Sequence, residues 1–119
     1  MSFDPARVER LFKVLGDESR LRIIRALAEG ERSVSEILDR AGLPQTLVSF
    51  HLRILREAGV LTAERRGAFV YYALADPSLV NLLDACARYA QGLTDTGAAP
   101  DFQWPPWAMM CRMMRAQRR

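Results

Sequence analysis

Pro44-Gln-Thr-Leu-Val-Ser-Phe-His-Leu-Arg-Ile-Leu-Arg-Glu-Ala-Gly-Val-Leu61 decides the architecture. On a helix advancing about 100° per residue, Leu52 and Leu55 fall within roughly 40° of Val48 and make one apolar stripe. Gln45, Thr46, Ser49, Arg53 and Arg56 occupy a separate polar arc, and Phe50 points outward with them. Ala58-Gly59 ends the helix, since glycine readily takes the backbone of a helix terminus.

The neighbours of this helix fix its setting. Upstream, Ser33-Val-Ser-Glu36 is a capping box, in which the serine and the glutamate side chains satisfy each other's backbone N–H groups. It opens a short helix with Val34, Ile37 and Leu38 inward, closing at Ala41-Gly42. Only Leu43-Pro44 separates the two helices, and a tight glycine-containing turn between short helices marks a helix-turn-helix. Downstream, Val60–Arg65 and Phe69–Leu74 are rich in β-branched and aromatic residues. Gly67-Ala68 lies between them, so a hairpin is expected with Arg65-Arg66-Gly67 at its tip. This order of elements predicts a winged helix-turn-helix, mainly α with a small β-hairpin.

The rest of the chain frames that unit. Asp4-Pro5 starts a first helix with Val8, Leu11, Phe12 and Leu15 on one face, and Gly16 stops it. Asp17 or Ser19 caps a second, with Leu21, Ile24, Leu27 and Ala28 inward, ending at Gly30. Asp76-Pro77 opens a last helix running to about Gln91-Gly92. Residues 1–92 are therefore expected to form the winged-helix and dimerisation domain. Residues 93–119 read as a linker and a tail rich in Trp, Met and Arg.

Composition narrows the function. A chain of 119 residues holds one core, and half its residues are hydrophobic. No apolar run nears the 18 or so residues of a membrane span, and the N-terminus has no signal-peptide pattern. A cytoplasmic location is expected. The net charge of +3 lies wholly in residues 101–119, where Arg112, Arg115, Arg118 and Arg119 face only Asp101; residues 1–100 carry 13 basic and 13 acidic side chains. The high pI is therefore no argument for a nucleic-acid-binding core. Two cysteines, Cys86 and Cys111, and one histidine, His51, leave little for metal clusters or catalytic triads. With no paired nucleophile and base and no Gly-rich phosphate loop, an enzyme is not expected.

The outward arc suits DNA. Arg pairs with guanine, Gln with adenine, and Ser and Thr with either, while exposed Phe50 fits thymine methyls. Arg65 and Arg66 at the hairpin tip are placed for phosphate or minor-groove contact. His51 falls at about −60°, beside the buried stripe. Two readings of it stand: a half-buried residue fixing the helix through the backbone, or a phosphate contact from the groove edge. The expected DNA-binding set is Gln45, Thr46, Ser49, Phe50, His51, Arg53, Arg65 and Arg66. A winged helix used only for protein contacts is the competing class, and exposed Phe50 is its best support.

Three segments carry a family resemblance: Leu15-Gly-Asp-Glu-Ser-Arg-Leu-Arg-Ile-Ile24, Ser49-Phe-His-Leu-Arg-Ile-Leu-Arg-Glu-Ala-Gly59 and Gly67-Ala-Phe-Val-Tyr-Tyr-Ala-Leu74. In this order they resemble the ArsR/SmtB family of bacterial winged-helix repressors, over roughly residues 5–92. The resemblance implies a homodimer joined through its first and last helices, and a repressor released from its operator by an inducer. The apolar stripe Leu79, Leu82, Leu83, Cys86 and Ala90 points independently to a dimer, because with the first helix it exceeds what one small core needs. Two-fold symmetry then implies recognition helices about 34–36 Å apart and a palindromic double-stranded operator.

The sensing residues of the family do not carry over. Arsenic-sensing members have Cys-x-Cys where this chain has Ser33 and Ser35. Zinc-sensing members use Asp and His ligands on the last helix, which here has no histidine. Redox sensors pair a last-helix cysteine with one on the second helix, and Ile23-Ile-Arg-Ala26 has none. Cys86 reads either as a small buried hydrophobe or as half of a switch. Cys111 lies among arginines, which favour the reactive thiolate. Together the two allow a disulfide or a soft-ion site, for example for As(III). A small organic inducer beneath the Trp- and Met-rich tail, or no inducer, are the alternatives.

Overall fold

Local signals set the helix starts. Asp4 accepts a hydrogen bond from the Ala6 N–H with Pro5 at the first helical position, and Asp17 accepts one from the Arg20 N–H. These caps open α1 (Pro5–Leu15) and α2 (Glu18–Ala26). A two-residue strand β1 (Arg32–Ser33) precedes α3 (Val34–Ala41), and α4 (Gln45–Glu57), β2 (Leu61–Arg66), β3 (Phe69–Leu74) and α5 (Leu79–Gln91) follow. This computed structural model describes residues 2–93. The expected linker and tail, with Cys111, Trp104 and Trp107, lie outside them.

The capping box forms as the sequence predicts. The Ser33 hydroxyl accepts from the Glu36 N–H, and Glu36 Oε1 accepts from the Ser33 N–H at 3.1 Å. That backbone hydrogen bond, then the one from the Ser33 side chain, holds the Glu36 carboxyl below its ordinary value. The turn after α3 runs through Gly42 at φ 66°, a left-handed conformation that a Cβ disfavours. Gly67 takes φ 63° in the two-residue connection of the hairpin, where a type II′ turn needs glycine first.

β3 is the central strand of an antiparallel sheet ordered β1-β3-β2. Leu61 pairs with Leu74 and Arg66 with Phe69, while Arg32 and Ser33 pair with Tyr72 and Tyr71. The third strand is an addition to the expected hairpin. Two residues are too short for an alternating pattern, and Ser33 already reads as a helix cap.

Ile23, Ile24, Leu27, Ile37, Val48, Leu52 and Leu55 are fully buried at the centre of the core. Leu21, expected inward, is 38% exposed, and Ile23 is buried instead. The reason is that α2 packs on both α3 and α4, which turns its buried arc towards Ile23 and Leu27. Phe12 is likewise exposed, because α1 leans chiefly on α2 and buries only Leu15 completely. In α5 Leu79 and Leu83 are partly buried against the core, and no residue is fully buried. Among the described residues, the compact unit that holds the core ends at Asp84, inside α5. No described helix is long and apolar enough to cross a membrane.

Candidate nucleic-acid interface

α4 sorts its residues as the helical wheel requires. Val48, His51, Leu52 and Leu55 are buried, while Gln45, Thr46, Ser49, Phe50, Arg53 and Arg56 are exposed. The exposed face spans the helix and offers an amide, two hydroxyls and two guanidiniums. Phe50 is 58% exposed, with its ring edge-on to His51 at 5.2 Å. Arg53 Nε sits 3.4 Å from Glu57, and its side chain remains 81% exposed. Such an exposed pair along a helix is worth a few tenths of a kcal/mol, roughly 0.2–0.5, so it yields readily to a phosphate or a base.

His51 does not join the outward set. It is 5% exposed, and its Nδ1 accepts from Arg20 Nε at 3.2 Å. A guanidinium only donates, so the ring proton sits on Nε2, 3.8 Å from Asp17 Oδ1. The reading as a residue that fixes the helix fits this geometry, although its partner is a side chain rather than the backbone. The phosphate-contact reading does not fit, because the ring lies beneath the face.

The wing separates its two arginines. Successive strand residues face opposite sides. Arg65 is exposed near the tip, its Nε 3.4 Å from the Gly67 carbonyl. Arg66 instead grips Glu31 with both terminal nitrogens, one at 2.9 Å, and reaches Glu64 at 3.0 Å. Its guanidinium also lies 4.9 Å from the centre of the Tyr71 ring. The hydrogen bond from Arg66, then its charge, holds the Glu64 carboxyl below its ordinary value. Arg66 thus ties the wing to the loop before β1 rather than standing free. Sequence reasoning passed over exposed Phe69, although it directly follows Gly67-Ala68 and pairs with Arg66.

The resemblance singled out other positions. Ser33 is spent on the α3 cap, and Ser35 is exposed. Cys86 is half-buried on α5. No group of three or more His, Cys, Asp or Glu side chains among the described residues is placed to hold a metal ion.

A helix-turn-helix whose second helix shows an open polar face, followed by a basic-tipped hairpin, defines a winged helix-turn-helix domain. Residues 17–63 match the description of bacterial regulatory proteins of the arsR family. The cadmium resistance transcriptional regulatory protein CadC of Listeria innocua is 34% identical over 91 residues, 76% of each chain. The chain belongs to the arsR family. The HTH-type transcriptional repressor SmtB of Mycobacterium tuberculosis is 46% identical over 79 residues, which cover 66% of this chain and 58% of that protein. Among solved structures, the homodimeric winged helix-turn-helix DNA-binding domain of Mb0332 from Mycobacterium bovis superposes with a TM-score of 0.63. It has 32% identity and covers 72% of this chain and 80% of that one.

Proposed function

We propose that the chain is a sequence-specific DNA-binding repressor, acting as a homodimer on a palindromic operator and released by an inducer. The carrying observation is the division of α4 into a buried stripe and an exposed face of Gln45, Thr46, Ser49, Phe50 and Arg53. Those groups read base edges in the major groove. Arg65 supplies a phosphate contact from the wing. The named relatives, a transcriptional repressor and a resistance regulator, support the same reading.

The test starts from duplexes that the wild type selects out of a random-sequence pool. Arg53→Ala weakens the selected duplex by about 1–3 kcal/mol and blurs preference at the bases it contacts. Arg65→Ala weakens selected and scrambled duplexes alike and reduces the slope of log affinity against log salt by about 1. Failure of the wild type to select any sequence, with binding insensitive to salt, overturns the proposal and favours a protein-interaction module docking through exposed Phe50.

The inducer reading rests on the cysteines. Cys86 on α5 and Cys111 form a candidate thiol pair, responsive to oxidation or to a soft ion such as As(III). CadC, a cadmium resistance regulator, makes a metal response the natural first trial. Arsenite or oxidant is expected to release the selected duplex from wild type and not from Cys111→Ser. Equal release from both eliminates the pair, and release from neither leaves a small organic inducer or none.

A further inference from the structure

One guanidinium joins three helices. Arg20, on α2, points Nη1 at the carbonyls of Val14 at 3.0 Å and Lys13 at 3.4 Å, both in the last turn of α1. Its Nε donates to Nδ1 of His51, a buried residue of α4. The last-turn carbonyls of a helix have no partner within it and carry the negative end of its dipole, so a cation is favoured there. Asp17 fixes the start of α2 by accepting from the Arg20 N–H at 3.1 Å, so the base of the arginine is anchored too. His51 lies between exposed Phe50 and buried Leu52, directly under the face proposed to read DNA.

We infer that the Arg20–His51 pair is a positioning latch, which sets the pitch of α4 against the end of α1 and so aims the DNA-reading face. This inference rests on the DNA-binding function proposed above. Arg20 and His51 touch no base; they act through the side chains of α4. The chemistry of the latch is specific. A planar guanidinium presents donors on separate nitrogens in a fixed fork, whereas a lysine ammonium carries its three donors on one freely rotating nitrogen. Arginine serves His51 and the α1 carbonyls from two different nitrogens, Nε and Nη1, and lysine at position 20 has one nitrogen for both, so it is expected to hold them less well. At position 51 an asparagine sets its carbonyl oxygen close to the place of imidazole Nδ1, while glutamine sets its amide near Nε2.

A latch and a merely stabilising contact differ in what they move. Misaiming a recognition helix costs base contacts first and leaves phosphate attraction largely intact. The measurement is the ratio of affinity for a wild-type-selected duplex to affinity for its scrambled version, taken beside urea unfolding of each variant. Arg20→Lys is expected to lower that ratio about tenfold, a small part of the 10³ or more typical of specific binding, with scrambled-duplex affinity held within about twofold. His51→Asn keeps the wild-type ratio and His51→Gln loses it. The inference is overturned if Arg20→Lys keeps the ratio, if the Asn and Gln variants discriminate equally, or if both affinities fall together in step with stability. Should Arg20→Lys fail to fold, the two His51 variants decide. A wild type that selects no sequence overturns the DNA-binding reading instead, an outcome distinct from any of these.

Discussion

Leu52→Ala is expected to lower the unfolding free energy by about 2–5 kcal/mol, read as a fall in the urea midpoint with little change in slope. Leu52 is 1% exposed in α4 and belongs to the same core cluster as Ile24, Ile37 and Leu55. Removing its isobutyl end loses the transfer energy of the deleted carbons and leaves a cavity where three helices converge. A domain of this size has about 5–15 kcal/mol in all, so the variant is close to the edge of stability at 37 °C. The adjacent Arg53→Ala serves as its contrast. It removes a solvated side chain and an exposed pair with Glu57, so its midpoint shifts by an amount equivalent to no more than about 0.5 kcal/mol. One helix thus yields a large stability effect at one position and a binding effect at the next. A loss under about 1 kcal/mol for Leu52→Ala would contradict the packing described.

The same contrast marks where the sequence was legible. Ser33 and Glu36 lie three residues apart, and the cap they form is written in that spacing. Gly42 and Gly67 mark turns because the backbone there needs positive φ. Val48, Leu52 and Leu55 follow from the helical period alone. What periodicity does not carry is the partner of a residue far along the chain. Arg20 and His51 are 31 residues apart, and Arg66 and Glu31 are 35 apart. Hence His51 reads from sequence equally as a core residue or a phosphate ligand, and Arg66 as a free tip cation. In the structure each meets a distant side chain, His51 that of Arg20 and Arg66 that of Glu31. On α2 the period predicted a stripe through Leu21, and packing against both α3 and α4 buries Ile23 instead.

Leu82→Glu is expected to convert the proposed dimer to a monomer and to lower affinity for a full palindromic duplex by about 10²–10⁴-fold, the gain usually owed to a second linked site. Leu82 is 38% exposed on α5, beside an open groove of about 350 Å³ that it lines with Leu11, Leu79 and Val60. Exposed Phe12 lies on α1 next to Leu11. Of these apolar groups, Leu11, Phe12, Leu79 and Leu82 sit on the two helices that the family resemblance assigns to the dimer. A second copy, meeting them by two-fold symmetry, would place Leu82 near its own symmetry mate or near α1 of the partner. A carboxylate there is desolvated without a counter-charge, which opposes association far more than it disturbs a single chain already exposing the site. Sedimentation should give half the wild-type mass. Binding to a duplex carrying one half-site should remain within about threefold of wild type, because each monomer keeps its own α4 and wing. Loss of half-site and full-site binding together would point to unfolding, and persistence of the dimer mass would move the interface away from α5.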